Sequence, residues 1–541
     1  MISPARLRPN RRISTDSNKP AQAQRKTFSA PTLGLVTNTP LTSNLPGACV
    51  ELENFWPTAE GIEVRGGSIW RVSVPGSVQS IFEYRGASTE EFFVSDEDAV
   101  YSFNGATPPK TLLTNPVILE QSNGKYSSVE TTTAGGAFLT IVNGEDFAQQ
   151  YNGTTWSTLD IDGGTASVPD PEWLGSDYLS YVWAYRSRQF FIQKGSMNVW
   201  YLGINEVSGD ATKFPLSAQF NNGGSLLFGA TWSSDSGDGL DDRCVFVTDT
   251  GEVAIYAGDN PSDLNSWGLV GVYEIGTPLG AGAYFKVGGD IVLATTQGLV
   301  PLSAAIQKDT SQLKLDSLSR NIEGDWVDEV NNTAQGEDWL LCKSDSKDMA
   351  IVSPSSAKDY CYAINTSTNR WTKFTGWYIL ALGTLSSDIY FGDASGKVYI
   401  TDSGGMDGEL GFDAKACFWF DDMGSPGAFK IVQTARSTWF YNGEINPQIS
   451  IAVDYKSNFN APPSGAQAET SDNIARWDHS KWDVALWAGD STERSYTVSN
   501  DLVSVSGSGY ALAPQIQITS ISAEKLKGRL GSIDITFIQG M

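Results

Sequence analysis

Seven times along this chain a run of β-forming residues meets a short polar or glycine turn and is answered by a second such run. The turns fall at Glu97, Gly144, Gly195, Gly251, Gly298, Ser356 and Gly396, spaced 40 to 58 residues apart. The clearest example has Val245-Phe246-Val247, then Thr248-Asp249-Thr250-Gly251, then Val253-Ala254-Ile255-Tyr256. Apolar β-formers on both sides of a Gly-containing turn mark a hairpin. Recurrence at this period marks an array of small sheets. A single four-stranded sheet buries too little apolar surface to stand alone, whereas sheets arranged in a ring cover one another's faces. The spacing predicts an all-β fold, a β-propeller of six or seven blades. The 54 glycines among 541 residues supply the turns this needs. Trp156, Trp267 and Trp371 each follow a polar turn beyond a hairpin, and they are expected to pack between blades.

Two regions depart from the repeat. Residues 303–330 carry Ala305, Ile306, Leu313, Leu315, Leu318 and Ile322 at helical spacing with few turn formers. They predict a short helical insertion decorating the outside of the ring. After Gly404-Gly405 the units stop, and longer alternating strands such as Gln448-Ile449-Ser450-Ile451-Ala452-Val453 take over. The predicted domains are therefore an N-terminal arm and extended segment over 1–45, a propeller over 46–404, and a β-sandwich-like platform over 405–541.

The charge is uneven. The formal net is −25, yet residues 1–28 carry seven basic side chains against Asp16, a net of +6, which leaves −31 for the rest. An acidic body repels nucleic-acid phosphates, because binding there is driven by Lys and Arg displacing counterions. The basic segment has too few apolar residues to order itself. It is expected to dock on an acidic neighbour through Arg6, Arg8, Arg11, Arg12, Arg25 and Lys26. No apolar stretch follows it, so no secretory leader and no membrane-spanning segment are expected.

Chemistry is sparse. His479 is the single histidine, in a polar Asp478-His479-Ser480 turn, so a Ser-His-Asp triad has one candidate and a multi-histidine metal site has none. The acidic run over 235–243 lacks the order of a calcium loop. Gly223-Gly224 and Gly288-Gly289 lack the strand and helix context of a nucleotide site. Five cysteines at irregular spacing read as buried thiols in a reducing compartment. No catalytic residue, cofactor or metal is assigned. Carboxylate pairs for sugar cleavage stay open among 62 Asp and Glu, with no pair singled out.

The stretch LENFWPTAEGIEVRGGS at 52–68 resembles the leading segment of tail nozzle, or packaged-DNA stabilisation, proteins of short-tailed (podovirus-type) bacteriophages. Residues 185–203, 223–258 and 289–309 are similar to the middle of the same family. These stretches cover about a third of the chain and contain no catalytic motif. The resemblance implies a virion tail protein assembled in the host cytoplasm, a homo-oligomer of six copies below a portal and adaptor ring. Double-stranded DNA would pass through its lumen, and fibres or spikes would dock on it. Like charge on the wall would lower friction for DNA, since each Lys or Arg contact adds a sticking point. The basic arm has no counterpart in the family pattern, so its docking role is read from its charge alone. The alternative from the residues is a propeller that binds or degrades carbohydrate.

Overall fold

The computed structural model describes residues 22–459 and 497–540, apart from 88, 166–167, 234–241, 264, 334–336, 355–357, 443–444 and 500–501. Strands dominate, as the alternating pattern requires, and form a succession of small antiparallel sheets. The first unit runs Ser80–Arg85, Glu90–Ser95, Val100–Phe103 and Pro116–Ile118. The second runs Ser127–Thr133, Gly136–Val142, Gln149–Tyr151 and Trp156–Thr158. The third uses Leu179–Tyr185, Arg188–Gln193, Asn198–Tyr201 and Gly209–Pro215, and the fourth Leu226–Trp232, Arg243–Thr248, Glu252–Ala257 and Gly268–Glu274. A fifth has three strands, Tyr284–Val287, Asp290–Thr295 and Gly298–Pro301. The sixth is Leu340–Lys343, Met349–Ser353, Tyr360–Asn365 and Arg370–Thr375.

Six of the seven hairpin turns recognised in the sequence join the second and third strands of their units, and the turn at Ser356 lies outside the described residues. Gly396 shows why one residue type is required there. Its φ is +80°, and a Cβ would lie 2.3 Å from the Val74 carbonyl oxygen.

The seventh unit is assembled from distant parts of the chain. Ala381–Leu385, Asp388–Gly392 and Lys397–Ile400 are completed by Ile69–Ser73, with Val398 opposite Val72. Neighbouring units pack through their first strands, from Ser80–Arg85 onward, and Ala381–Leu385 returns to pack against Ser80–Arg85. Between the fourth and fifth units Phe228 stacks on Tyr284 at 4.6 Å.

The three tryptophans lie where one unit meets another element. Trp156 packs edge-on to Phe93 of the first unit, and Trp267 sits against Tyr185 and Phe190 of the third. Trp371 is fully buried against Trp326.

Trp326 corrects one expectation. The helical region does form, as Leu302–Ala305, Thr310–Asp316 and Glu323–Asn332. It is no outer decoration, because Trp326 is 3% exposed, packs on Trp339 and donates its indole N–H to the Thr295 carbonyl. Burying a side chain of this size contributes upwards of about 2 kcal/mol, so the insertion is part of the core.

The C-terminal strands form two layers around one apolar core, and those layers take in residues on the N-terminal side of the expected boundary. In one layer Lys527–Gln539 pairs with Lys430–Asn442 on one edge. Its other edge pairs with both Ala23–Ser29 and Ile62–Val64. In the other, Ala48–Glu53 lies between Arg370–Thr375 of the sixth unit and Phe412–Phe418, followed by Leu512–Ser520 and Gln448–Val453. Phe55, Trp439, Ile516 and Ile535 from these layers share one cluster with Trp326 and Trp371. The expected break at 404/405 is thus bridged by residues 23–64, which the sequence reading divided between the arm and the ring. Among the described residues no helix is long and apolar enough to cross a membrane.

Candidate functional site: the Arg65 clamp, its cleft and the N-terminal strand

The segment carrying the family resemblance folds into a buried clamp. Phe55–Pro57 and Ile62–Val64 form a hairpin, and Arg65 follows it with 1% exposure. A guanidinium has five N–H donors, and here each has an acceptor. Nε donates to Asn54 Oδ1 at 2.8 Å, Nη1 to Gly66 O at 2.8 Å and Asp407 Oδ1 at 3.0 Å. Nη2 donates to Thr375 O at 3.0 Å and Asp407 Oδ2 at 2.7 Å. The Phe412 ring covers the guanidinium at 4.0 Å and Trp377 at 4.5 Å, an arrangement that adds cation–π attraction.

The partners are fixed in turn. Asp407 also accepts from Ser68 Oγ and from the Trp377 indole N–H. Asn54, at φ 57°, donates through Nδ2 to Thr375 Oγ1 and to the Asp413 carbonyl. Gly66 donates its N–H to Asp402 Oδ1, which Lys525 also holds at 2.6 Å. Gly67 lies so close to residue 406 that a Cβ would stand 2.0 Å from the Met406 carbonyl oxygen. The clamp therefore ties residues 54–68 to the link between the sixth and seventh units, the link leaving the seventh, and the loop before Lys527–Gln539.

Beside it opens a cleft of about 500 Å³, lined among others by Glu53, Tyr378, Asp393, Tyr399, Asp413 and Lys415. Its aspartates already carry structural bonds. Asp413 accepts from Thr519 Oγ1, and Asp393 accepts from the Ser395 hydroxyl and the Lys397 N–H. Burial and the neighbouring Asp393 push the Tyr399 hydroxyl well up.

Of the six basic residues expected to dock, Arg25 and Lys26 are held within the chain. They lie in Ala23–Ser29, where Arg25 pairs with Asp534 and Lys26 Nζ reaches Asp421 Oδ2 at 2.5 Å. Arg6, Arg8, Arg11 and Arg12 lie outside the described residues, as do His479 and residues 235–241 of the acidic run. All five cysteines are buried and unpaired. Among the described residues no group of three or more His, Cys, Asp or Glu is arranged to hold a metal.

Two kinds of carboxylate set the pH response. Burial raises Glu51, with Glu53 adding to it, and burial likewise raises Glu63 and Asp325. These groups bind protons more tightly folded than unfolded, so their contribution falls as pH rises above about 4. Asp402 and Asp534 go the other way. Burial pushes each up, but Lys525 and Lys347 around the first, and Thr27, Arg25 and Arg436 around the second, hold both below the usual range. Their contribution is present above the unfolded value and is lost as pH falls through the folded one. Thermal unfolding between pH 3 and 8 should give a midpoint that is highest at about pH 4, where both kinds of group contribute, and lower on either side. A midpoint still rising at pH 8 would contradict this balance.

No protein-family model matches the chain, and no characterised protein matches it in sequence. Solved structures similar in part include the extracellular domain of a hybrid two-component system from B. thetaiotaomicron. It is 11% identical with a TM-score of 0.40, over 61% of this chain and 40% of that one. The computationally designed protein Ika8 is 8% identical with a TM-score of 0.36, over 62% and 99%. Raptor of Chaetomium thermophilum is 11% identical with a TM-score of 0.36, over 62% and 28%. At this level the likenesses carry no argument about what the chain does.

Proposed function

We propose that this chain is a structural virion protein, the tail nozzle subunit of a short-tailed bacteriophage. In this reading the seven units form a β-propeller, with Ile69–Ser73 closing the last sheet. Six copies make a ring below the portal and adaptor. That ring retains packaged double-stranded DNA, lets it pass on ejection, and offers the C-terminal layers as a platform for adaptor, fibres or spikes. The observation that carries the reading is the clamp. Within the stretch 52–68 that carries the resemblance, Asn54, Arg65, Gly66, Gly67 and Ser68 are residues whose side chains or lack of them the buried network requires. The −31 charge outside residues 1–28 suits a wall along which DNA slides without sticking. The competing carbohydrate-degrading reading draws less support, because Asp407, Asp413 and Asp393 beside the cleft are engaged in holding the fold.

The purified full chain should scatter light as a particle of about 350 kDa, six times the 58.4 kDa subunit. Negative-stain images should show a ring at that mass and at the tail tip of the virion. A monomer that releases reducing sugar from host polysaccharide, with the activity abolished by Glu53→Gln, would overturn the proposal.

A further inference from the structure

Sheet edges are liabilities, and natural proteins cover or shorten them unless the edge has a use. Six of the seven units obey this. The outer strands of the first and second, Pro116–Ile118 and Trp156–Thr158, are three residues each. That of the third is covered by Ile161–Thr165, that of the sixth by Ala48–Glu53 and that of the seventh by Thr111–Leu112. In the fifth, the third strand runs into helices that pack on it. The fourth differs. Its outer strand Gly268–Glu274 is seven residues long and pairs only inward, with Glu252–Ala257. Among the described residues no strand pairs with its other side. Its sequence GLVGVYE has no Lys, Arg or Pro to discourage pairing, and Leu269 and Val270 are 42% and 49% exposed. Carboxylates stand exposed at both ends: Asp259 near its start, and Glu274 at its finish. Of the nearby cations, Lys308 is already paired with Asp316.

The chain itself shows what fits such an edge. Ala23–Ser29 adds as an extra strand along Lys527–Gln539 and places Arg25 and Lys26 on Asp534 and Asp421. The residues before it have the same chemistry. Residues 1–21 hold Arg6, Arg8, Arg11, Arg12 and Lys19 against Asp16, and set Leu7 between two arginines and Ile13 beside one. In an extended strand this spacing sets Leu7 opposite Arg6 and Arg8, and Ile13 opposite Arg12. We infer that the open edge at Gly268–Glu274 receives the basic N-terminal arm of a second copy of this chain, by strand addition with arginine-to-carboxylate contacts at its ends. An extended arm of 21 residues spans up to about 70 Å, enough to leave its own C-terminal layers and reach a neighbour. The inference rests on the ring reading for the neighbour's presence.

The test uses full-length protein. Because all five native cysteines are buried, introduced ones report cleanly. One population carries Ile13→Cys, the other Val270→Cys, and the two are co-expressed and oxidised. A disulfide-linked dimer should appear only when both are present. It should be absent when Ser157→Cys, on the three-residue outer strand of the second unit, replaces Val270→Cys. It should weaken at least tenfold when Leu269→Lys is added. No cross-link from the co-expressed pair, or equal cross-linking to Ser157→Cys, overturns the inference. So does linkage found only within one chain that carries both cysteines. Light scattering on the same samples separates the two claims. A hexamer without the cross-link sinks the arm contact alone, whereas the cross-link without a hexamer sinks the ring and leaves the contact standing.

Discussion

Arg65→Ala should lower the stability of the chain by about 3–5 kcal/mol, the cost of breaking an ion pair whose guanidinium is buried and whose carboxylate is 14% exposed. Asp407 would keep only Ser68 Oγ and the Trp377 indole as donors. The carbonyls of Gly66 and Thr375, and Asn54 Oδ1, would each lose a charged donor. Arg65→Lys should recover less than half of the loss, since an ammonium is a point charge with three donors and cannot span five acceptors in one plane. Arg25→Ala serves as the comparison. Arg25 also bonds a carboxylate, but its side chain is 57% exposed, so removal should cost under about 1 kcal/mol. Urea denaturation of the three variants reads the difference directly in the midpoint at constant slope. A loss at Arg65 no greater than at Arg25 would show that the clamp does not hold the junction.

That prediction marks where the sequence was readable and where it was not. The hairpins were readable because strand–turn–strand order is local: Val245, Phe246 and Val247, a four-residue turn, then Val253 to Tyr256. The remaining strands of each unit were harder, since three residues such as Pro116–Ile118 carry no period. Pairings across the chain leave no local trace at all. Ile69–Ser73 joins Lys397–Ile400, and Ala23–Ser29 joins Lys527–Gln539, through non-local contacts that no run of residues announces. The same holds for the clamp, in which Arg65 reads as the end of an alternating strand and Asp407 lies 342 residues away. A signal was present nonetheless. Gly66-Gly67 directly after a charged residue marks a place where backbone must approach backbone, and the contact is with residues 402 and 406. The helical region is legible from its spacing, but its depth is not, because Trp326 stands among Asp325, Asp328 and Glu329.

Val72→Asp tests whether the ends of the unit series are one cooperative structure. Val72 is 1% exposed and lies in a cluster with Val398, Ala381 and Leu385 from one end of the series and Phe92, Val94 and Tyr101 from the other. A carboxylate there has no cation partner, so the expected loss is at least about 4 kcal/mol, beyond the ordinary range of single substitutions. Its distribution matters more than its size. Because Ile69–Ser73 is the fourth strand of a sheet whose other three strands come from 381–400, the damage should reach both places. Amide exchange should speed up across Ser80–Arg85 and, in the same experiment, across Asp388–Gly392 and Lys397–Ile400. The centre of the series, Arg188–Gln193 and Arg243–Thr248, should lose protection only through global unfolding. Exchange that quickens around residues 69–118 but leaves 381–400 as slow as before would mean the series is open at that junction. The proposed propeller would then not describe how this chain holds itself together.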